Sequence, residues 1–550
     1  MNIYITEKSI VNYCIKENGM LMTRDYSNIN QFDKFVNNPN QLVCLTGYQH
    51  IVDYFFNTII NQFKYPVILI TLETDVFTMR DEHVNHLLLK HWFTWNTPYD
   101  NEKVSALPIG LNNDRHVKGF LEFKKNKVIM NNDNKSVHDK SKIMAVNFSP
   151  HTNSIRQVLV EKANNEWRSF CDVVEQIPPV RSYYKKSIVD GQIGIIVTNP
   201  DYYRNIHNYK FILSPPGAGE DCHRTWEALY MECIPIVQSS AINELYEDLP
   251  VLVVNDWDEI TEEFLNTKYA ELMGNISKYN FDKLYLEYWT KRFEAKRYHH
   301  SNKIHFITYG NNMYEKARLR LVKEADEFGE FDTIKGYDFG DLSDEFSQRF
   351  AHILSHKRGG GYWVWRYNIL TDAIDRAKEN EFIVFLDAGC ALNKQGRRRF
   401  HEYISMLENS EYGVLSFQMS GSNGFGDLQV ENRWTTSNIF KYFGEEPSSD
   451  IGETGQYLGG VFILRKNDHL RKYMEGFKRV LDTDPYLLTD KYNEDNQHHE
   501  FHDNRHDQSV TSVLRKKIGS VVIDGDESWV PPFGQGRSLQ YPFWAMRSKN

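Results

Sequence analysis

The chain is poor in cysteine: Cys14, Cys44, Cys171, Cys222, Cys233 and Cys390 are the only six in 550 residues, and no two stand at C-x-x-C spacing. That scatter argues against a disulfide framework or a zinc site and suits reduced, buried thiols. Long apolar runs are missing too. "YPVILITL" at 65–72 is strand-length and far short of a membrane span. The opening stretch "MNIYITEKSIVNYCIKEN" has no basic segment followed by an apolar block, so no secretory leader is expected and the expected location is cytoplasmic. Positive charge is in deficit, with 64 Lys and Arg against 74 Asp and Glu, a net charge of −10. That balance argues against nonspecific nucleic-acid binding. No G-x-G-x-x-G follows the first strand of either half, which disfavours a Rossmann-type oxidoreductase.

Aromatic residues are abundant at 14%, with 32 Tyr, 33 Phe and 11 Trp. Such rings serve as stacking platforms for sugars, although aromatic cores are the commoner use. Short β-rich runs alternate with amphipathic helical stretches over most of the length, the α/β signature. Candidate strands are "QLVCLTG" (41–47), "PVILITLE" (66–73) and "VSALPIGL" (104–111), with a helical "YQHIVDYFFNTIINQF" between the first two. The polar segment 124–142 reads as a linker. A second series follows: strands at 142–149, 193–197, 209–216, 234–239 and 249–254, a helix near 153–170 and another from about 221. Helical, charged sequence from 257 to 297 closes that half, and "NKIHFITYG" (302–310) restarts with a fresh strand. Two different α/β units joined near residue 300, together long enough for two to four domains, is the simplest organisation.

Two strand ends carry candidate chemistry. In "KFILSPPGAGEDCHRTWEALYMECIPIV" (210–237) a Pro-Pro-Gly-Ala-Gly turn joins a strand to a helix. Ligands of open α/β sheets sit at the carboxyl ends of strands, and a glycine-rich turn opening a helix exposes backbone N–H groups suited to phosphate. Gly217 and Gly219 allow close approach, Arg224 offers a charge-assisted bond to a diphosphate, and Glu227 lies on the same helix face, placed to accept from ribose hydroxyls. A tight turn with a surface Arg–Glu pair would give the same letters.

This stretch resembles the nucleotide-sugar-binding half of exostosin-like and related GT-B glycosyltransferases, which carry KF-x-L-x-P-x-G…D-x-x-R-x-(W/Y)-E-A-L. Cys233 stands where the family has a small residue. The resemblance implies two Rossmann-like domains, an acceptor domain over 1–140 and a nucleotide-sugar donor domain over 141–298. It also implies donor binding by Ser214, Gly217, Gly219, His223, Arg224 and Glu227, with Arg156 a further candidate for the leaving diphosphate. Positive groups replace a metal, so no cofactor is expected in this half. For the base that deprotonates the acceptor, Glu73 or Asp75 in "TLETD" follows a first-domain strand, where a solvated loop carboxylate is the plainer reading.

The second end is "EFIVFLDAGCALN" (381–393), with Asp387 closing an apolar run. "RGGGYWVWRYNIL" (358–370), the DAGC segment and "NRHDQSVTSVL" (504–514) resemble a bacterial and viral GT-A-like glycosyltransferase family. That likeness implies a GT-A-like, Rossmann-type module over 299–550. Thr308, Tyr309 and Gly310 would lie against the nucleoside, Trp363, Trp365 and Arg366 near the donor, and Gly459 and Gly460 towards the acceptor. Asp507, followed by Gln508, would act at the reaction centre. A divalent cation, manganese or magnesium, would be held in this module only, by Asp387 with His506 or His502; the two histidines share a helix face at i, i+4 if the segment is helical. Gly389 stands where D-x-D has its second carboxylate. A Trp pair is otherwise core, and an Asp after a strand otherwise a turn former.

The expectation is a bifunctional glycosyltransferase, a GT-B fold followed by a GT-A-like fold. It would use nucleoside-diphosphate sugars, UDP-linked ones among them, on an oligosaccharide, polysaccharide or glycolipid acceptor. Its rivals are one active module beside a degenerate, acceptor-binding second one, and a noncatalytic carbohydrate- or nucleotide-binding protein.

Overall fold

Apolar runs such as Leu42–Thr46 and Val67–Leu72 are buried at every position, the pattern of strands covered on both faces of a parallel sheet. The computed structural model describes residues 4–24, 26–73, 78–96, 99–111, 140–174 and 206–549, and the backbone of 186–189 and 192–195. The chain folds as two units, Met1–Arg297 and Tyr298–Asn550.

The first unit holds two sheets. One is formed by β1 (Met20–Met22), β2 (Leu42–Thr46), β3 (Val67–Leu72), β4 (Leu89–Thr94) and β5 (Val104–Ala106), in that order and all parallel. The other contains β6 (Lys142–Val146) and β7 (Cys171–Val173), then β10 (Tyr209–Leu213), β11 (Ile234–Gln238) and β12 (Leu252–Val254), in the order β12-β11-β10-β6-β7, again all parallel. Between them in sequence, β8 (Lys186–Val189) and β9 (Gln192–Ile195) pair as an antiparallel hairpin. The strand expected at 193–197 therefore belongs to no βα series. Most of the linker expected at 124–142 lies outside the described residues. One apolar core takes side chains from both sheets, among them Phe93, Ile212, Trp226 and Trp289.

The second unit is built on β13 (Ile304–Tyr309), β14 (Thr333–Tyr337), β15 (Phe382–Asp387), β17 (Val414–Gln418), β18 (Val461–Arg465) and β19 (Val521–Asp524), in the order β14-β13-β15-β18-β17-β19. The short β16 (Ala391–Leu392) pairs antiparallel with β20 (Phe543–Trp544). Only β18 runs antiparallel to its neighbours β15 and β17. Its beginning therefore lies beside the ends of the others, which gathers Gly459–Gly460 with Tyr309, Asp387 and Asp524 at one edge. Helix Asp468–Thr483 shows how the sheet is covered: Asn467 caps it by accepting from Leu470 N at 2.9 Å, and Leu470, Tyr473, Phe477, Val480 and Leu481 are buried at helical spacing. Each such side chain contributes roughly 1.5–3 kcal/mol of burial. Among the described residues, no helix is long and apolar enough to cross a membrane.

Candidate active sites

In the first unit the carboxyl ends of the two sheets meet at the Pro-Gly turn. The backbone after β10 leaves through Ser214, whose hydroxyl lies 2.8 Å from Thr225 Oγ1, both buried. Arg156 is turned into the Pro-Gly turn. Its Nε donates to Pro216 O and its Nη2 to Pro215 O, both at 2.9 Å, and its Nη1 to Thr152 Oγ1 at 2.8 Å, so it props the turn from beneath at 6% exposure. The turn glycines make room for protein. A Cβ on Gly217 would stand 3.0 Å from Arg156 Nη2, and one on Gly219 would stand 2.5 Å from Asn96 Nδ2. Arg224 is half-buried over the Phe148 ring and donates to Asn147 through Nε and Nη2, at 2.5 and 2.9 Å. His223, half-buried, donates from Nδ1 to Gly110 O at 2.7 Å, and Glu227 is 3% exposed, so its carboxylate lies inside the protein and not on an open helix face.

The tie that sequence reasoning left without a role is Asp221, the D of the D-x-x-R spacing. Its carboxylate accepts from Ile109 N (2.9 Å), Trp226 Nε1 (2.8 Å) and Tyr246 OH (3.1 Å), joining the loop after β5 to the second sheet's helix. Burial pushes its pKa up to about 6 against these donors. Of the two candidate bases, Asp75 lies outside the described residues. Glu73 stands at the end of β3 in the left-handed region (φ 58°), its Oε2 accepting from Thr46 Oγ1 at 2.9 Å and Arg24 N at 3.2 Å. Its Oε1 is buried without a hydrogen bond among the described residues.

The second unit has a cavity of about 1260 Å³ at the edge where its strand ends gather. It is lined by Tyr309, Gly310, Trp363, Trp365, Arg366, Asp387, Gly389, Gly459, Gly460, His506, Asp507 and Gln508, residues scattered over 200 positions of sequence. Tyr309 pairs in register with Asp387, and Asp387 N donates to Gly460 O at 2.9 Å. A Cβ on Gly460 would stand 2.9 Å from Asp387 Oδ2, so glycine there lets the carboxylate reach the rim. Trp365 stacks on Tyr309 at 3.8 Å between centroids and forms the floor. Thr308, its side chain alternating to the other face of β13, is wholly buried and does not line the cavity. The three glycines of "RGGGYW" have a local reason: all five residues from Gly359 to Trp363 take positive φ, a path that three glycines ease and that costs Tyr362 and Trp363 about 1–2 kcal/mol each.

Arg366, 1% exposed, lies between two carboxylates. Its Nη2 donates to Asp387 Oδ1 at 2.8 Å and its Nη1 to Asp507 Oδ2. Asp507 opens helix Asp507–Ile518, where a negative charge also meets the helix dipole. The expected metal shell does not assemble around Asp387. His502 and His506 precede that helix and share no helical face; His502 is exposed and outside the cavity. His506 is buried between Tyr362 and Trp363 with Nε2 committed to Asp490 Oδ1 at 2.9 Å, and burial lowers its pKa despite that partner. Among the described residues no three His, Cys, Asp or Glu side chains group as a cation site.

Sequence reasoning missed Asp526, Arg505, Arg547, Trp434 and Trp529, all of which line the cavity. Asp526 follows β19, the same strand-end placement that singled out Asp387. Its Oδ1 accepts from Ser528 N at 3.0 Å and Ser528 Oγ at 2.5 Å. Burial raises its pKa, with Arg547 pulling the other way.

No protein-family model and no curated protein matches the chain. Among solved structures it is similar to an α1,3-fucosyltransferase with GDP, at 12% identity, 51% of this chain, 91% of the other and a TM-score of 0.28. A glycosyltransferase involved in glycosylation of the major capsid of PBCV-1 gives 13% identity, 45% and 95% coverage and a TM-score of 0.26. A galactosyltransferase in complex with donor and acceptor sugar analogues gives 8%, 41%, 74% and 0.22. All three are glycosyltransferases; at these TM-scores the likenesses do not define a fold or an activity.

Proposed function

We propose that the chain is a glycosyltransferase with two donor sites, one in each unit, which transfers sugars from nucleoside-diphosphate donors to a glycan acceptor. The observation that carries this reading is the cavity of the second unit. It brings an aromatic floor of Tyr309 and Trp365, the strand-end Asp387 and the buried Asp526 to one volume, large enough for a nucleotide sugar and part of an acceptor. There the acceptor hydroxyl oxygen bonds to the anomeric carbon of the donor sugar as the bond from that carbon to the diphosphate oxygen breaks. The hydroxyl proton passes to Asp526, whose carboxyl is held above the usual range by burial and so accepts a proton readily. In the first unit the donor site would be the Pro-Gly turn, the start of helix His223–Tyr230 and the remaining N–H groups of Arg224. The arrangement of two parallel sheets followed by a mixed sheet suits a GT-B module joined to a GT-A-like module.

A second reading is favoured by the filling of the first unit's turn by Arg156 and Asn96: one active site, in the second unit, beside a first unit that only holds acceptor or nucleotide. A donor panel on the full chain separates the readings. Two sites predict two transfer activities, one removed by Arg224→Ala and the other by Asp526→Asn. One site predicts a single activity, lost only in Asp526→Asn, and a noncatalytic binding protein predicts no turnover of any donor.

A further inference from the structure

The second unit's cavity is lined by four arginines in two different states. Arg358 is paired with Asp490 at 3.0 Å and Asp503 at 2.6 Å. Arg366 is neutralised by Asp387 and Asp507. Arg505 and Arg547 make no ion pair with a carboxylate among the described residues. Arg505 donates to three neutral acceptors, Gln429 Oε1 at 2.8 Å, Gln456 Oε1 at 3.3 Å and Met419 Sδ at 3.8 Å, and its guanidinium lies 3.8 Å over the Trp434 ring. These contacts aim the charge without cancelling it. Arg547 is exposed, over Trp529 at 5.3 Å.

The place of Arg547 is set by Gly389. A Cβ at that position would stand 3.1 Å from Arg547 Cα, and Ser548 N donates to Gly389 O at 3.0 Å. The segment after β20 therefore lies against the Asp387–Gly389 loop, and Arg547 occupies the space a second carboxylate side chain would enter. Burial first, and then the nearby charge of Arg547, push Arg505 down to about 10. Two cations that line one cavity, neither in an ion pair with a carboxylate, suit an anion of more than one negative charge, and guanidinium groups match phosphate oxygens in fork geometry.

We propose that Arg547 and Arg505 together bind the diphosphate of the donor in the second unit, so that two fixed guanidiniums do there what a divalent cation would do at a D-x-D pair. This rests on the reading of the cavity as a donor site. Of the residues expected to hold a metal, Asp387 has its Oδ1 on Arg366 and His506 has its Nε2 on Asp490.

The test is calorimetric titration of the full chain, carrying Arg224→Ala to weaken the first unit's site, with UDP, GDP, UMP and inorganic pyrophosphate, in EDTA and in manganese. The proposal expects UDP or GDP to bind with the same affinity in both, and more weakly as salt rises. Arg505→Ala and Arg547→Ala should each weaken that binding by about tenfold or more and leave UMP nearly unchanged. Pyrophosphate bound as tightly as the nucleotide would make the site a general diphosphate site and overturn its assignment to the donor. Arg547 is exposed, so its variant should melt with the parent. Binding that needs manganese and vanishes in EDTA, or that both arginine variants retain, overturns the proposal. Diphosphate binding as described with no sugar transferred would leave this proposal standing and remove the transferase reading; transfer that proceeds only with manganese would do the reverse.

Discussion

Arg156 in the first unit and Arg505 in the second each lie beside the end of a strand, in reach of a glycine-bearing loop. Arg156 gives its Nε, Nη1 and Nη2 to two backbone carbonyls and a hydroxyl, so its N–H groups are committed to holding the Pro-Gly turn. Arg505 meets amide oxygens, the Met419 sulfur and a tryptophan face, so its charge remains available to the cavity. What separates a structural arginine from a binding one is thus its placement: Arg156 is buried inside its turn, whereas Arg505 lines an open cavity. The same contrast holds for glycine: Gly217 and Gly219 are filled by side chains of the first unit, whereas Gly460 clears a path for Asp387.

The sharpest way to test the contrast is activity. Asp526→Asn should lower second-site transfer by about 10²- to 10⁴-fold without changing the melting temperature beyond a small shift, measured by product formation and calorimetry. Next is Arg366, the charge shared by two carboxylates. Arg366→Met leaves Asp387 and Asp507 facing each other and should cost about 3–5 kcal/mol of second-unit stability in denaturant unfolding, more than Arg505→Ala costs. A smaller loss, about 2–3 kcal/mol, is expected for Arg156→Ala in the first unit, against less than about 1 kcal/mol for the half-buried Arg224→Ala. If Arg224→Ala proved the costlier of the two, the division between prop and binder would be reversed.

The pH dependence differs between the units as well. Asp221 has its pKa raised in the folded state to about 6 from 3.8, so the native state holds that proton more tightly than the unfolded chain. Its contribution to first-unit stability is fully present below about pH 4 and is lost as pH rises through 6, on the order of 3 kcal/mol. Unfolding of the parent and of Asp221→Asn between pH 4 and 8 checks this: the variant should show a flatter profile over that window.

Strand ends were readable because a buried apolar run closing on a charged residue, as at "FIVFLD", is the pattern a core strand makes where it leaves the sheet. Strands with mixed letters were not. β4 reads LKHWFT, and its polar positions are satisfied by tertiary partners such as Ser105, 2.9 Å from His91. In the second unit, three separate stretches that resemble a GT-A-like family pointed to Arg366, Asp387 and Asp507, while Arg547 and Asp526 reach the cavity through chain crossings that no local spacing encodes. The metal expectation rested on letters alone: His506 looked available in sequence, but Asp490 takes its ring nitrogen. Arg156 looked like a phosphate ligand because its carbonyl partners lie some 60 positions away.

Hydrogen–deuterium exchange of the full chain, with and without a saturating nucleoside-diphosphate sugar, tests the second unit's cavity as a donor site most directly. Slowed exchange at Gly310–Tyr314, Ala388–Cys390 and Asp503–Gln508 is the expected result. Binding that leaves all three segments unchanged would contradict it.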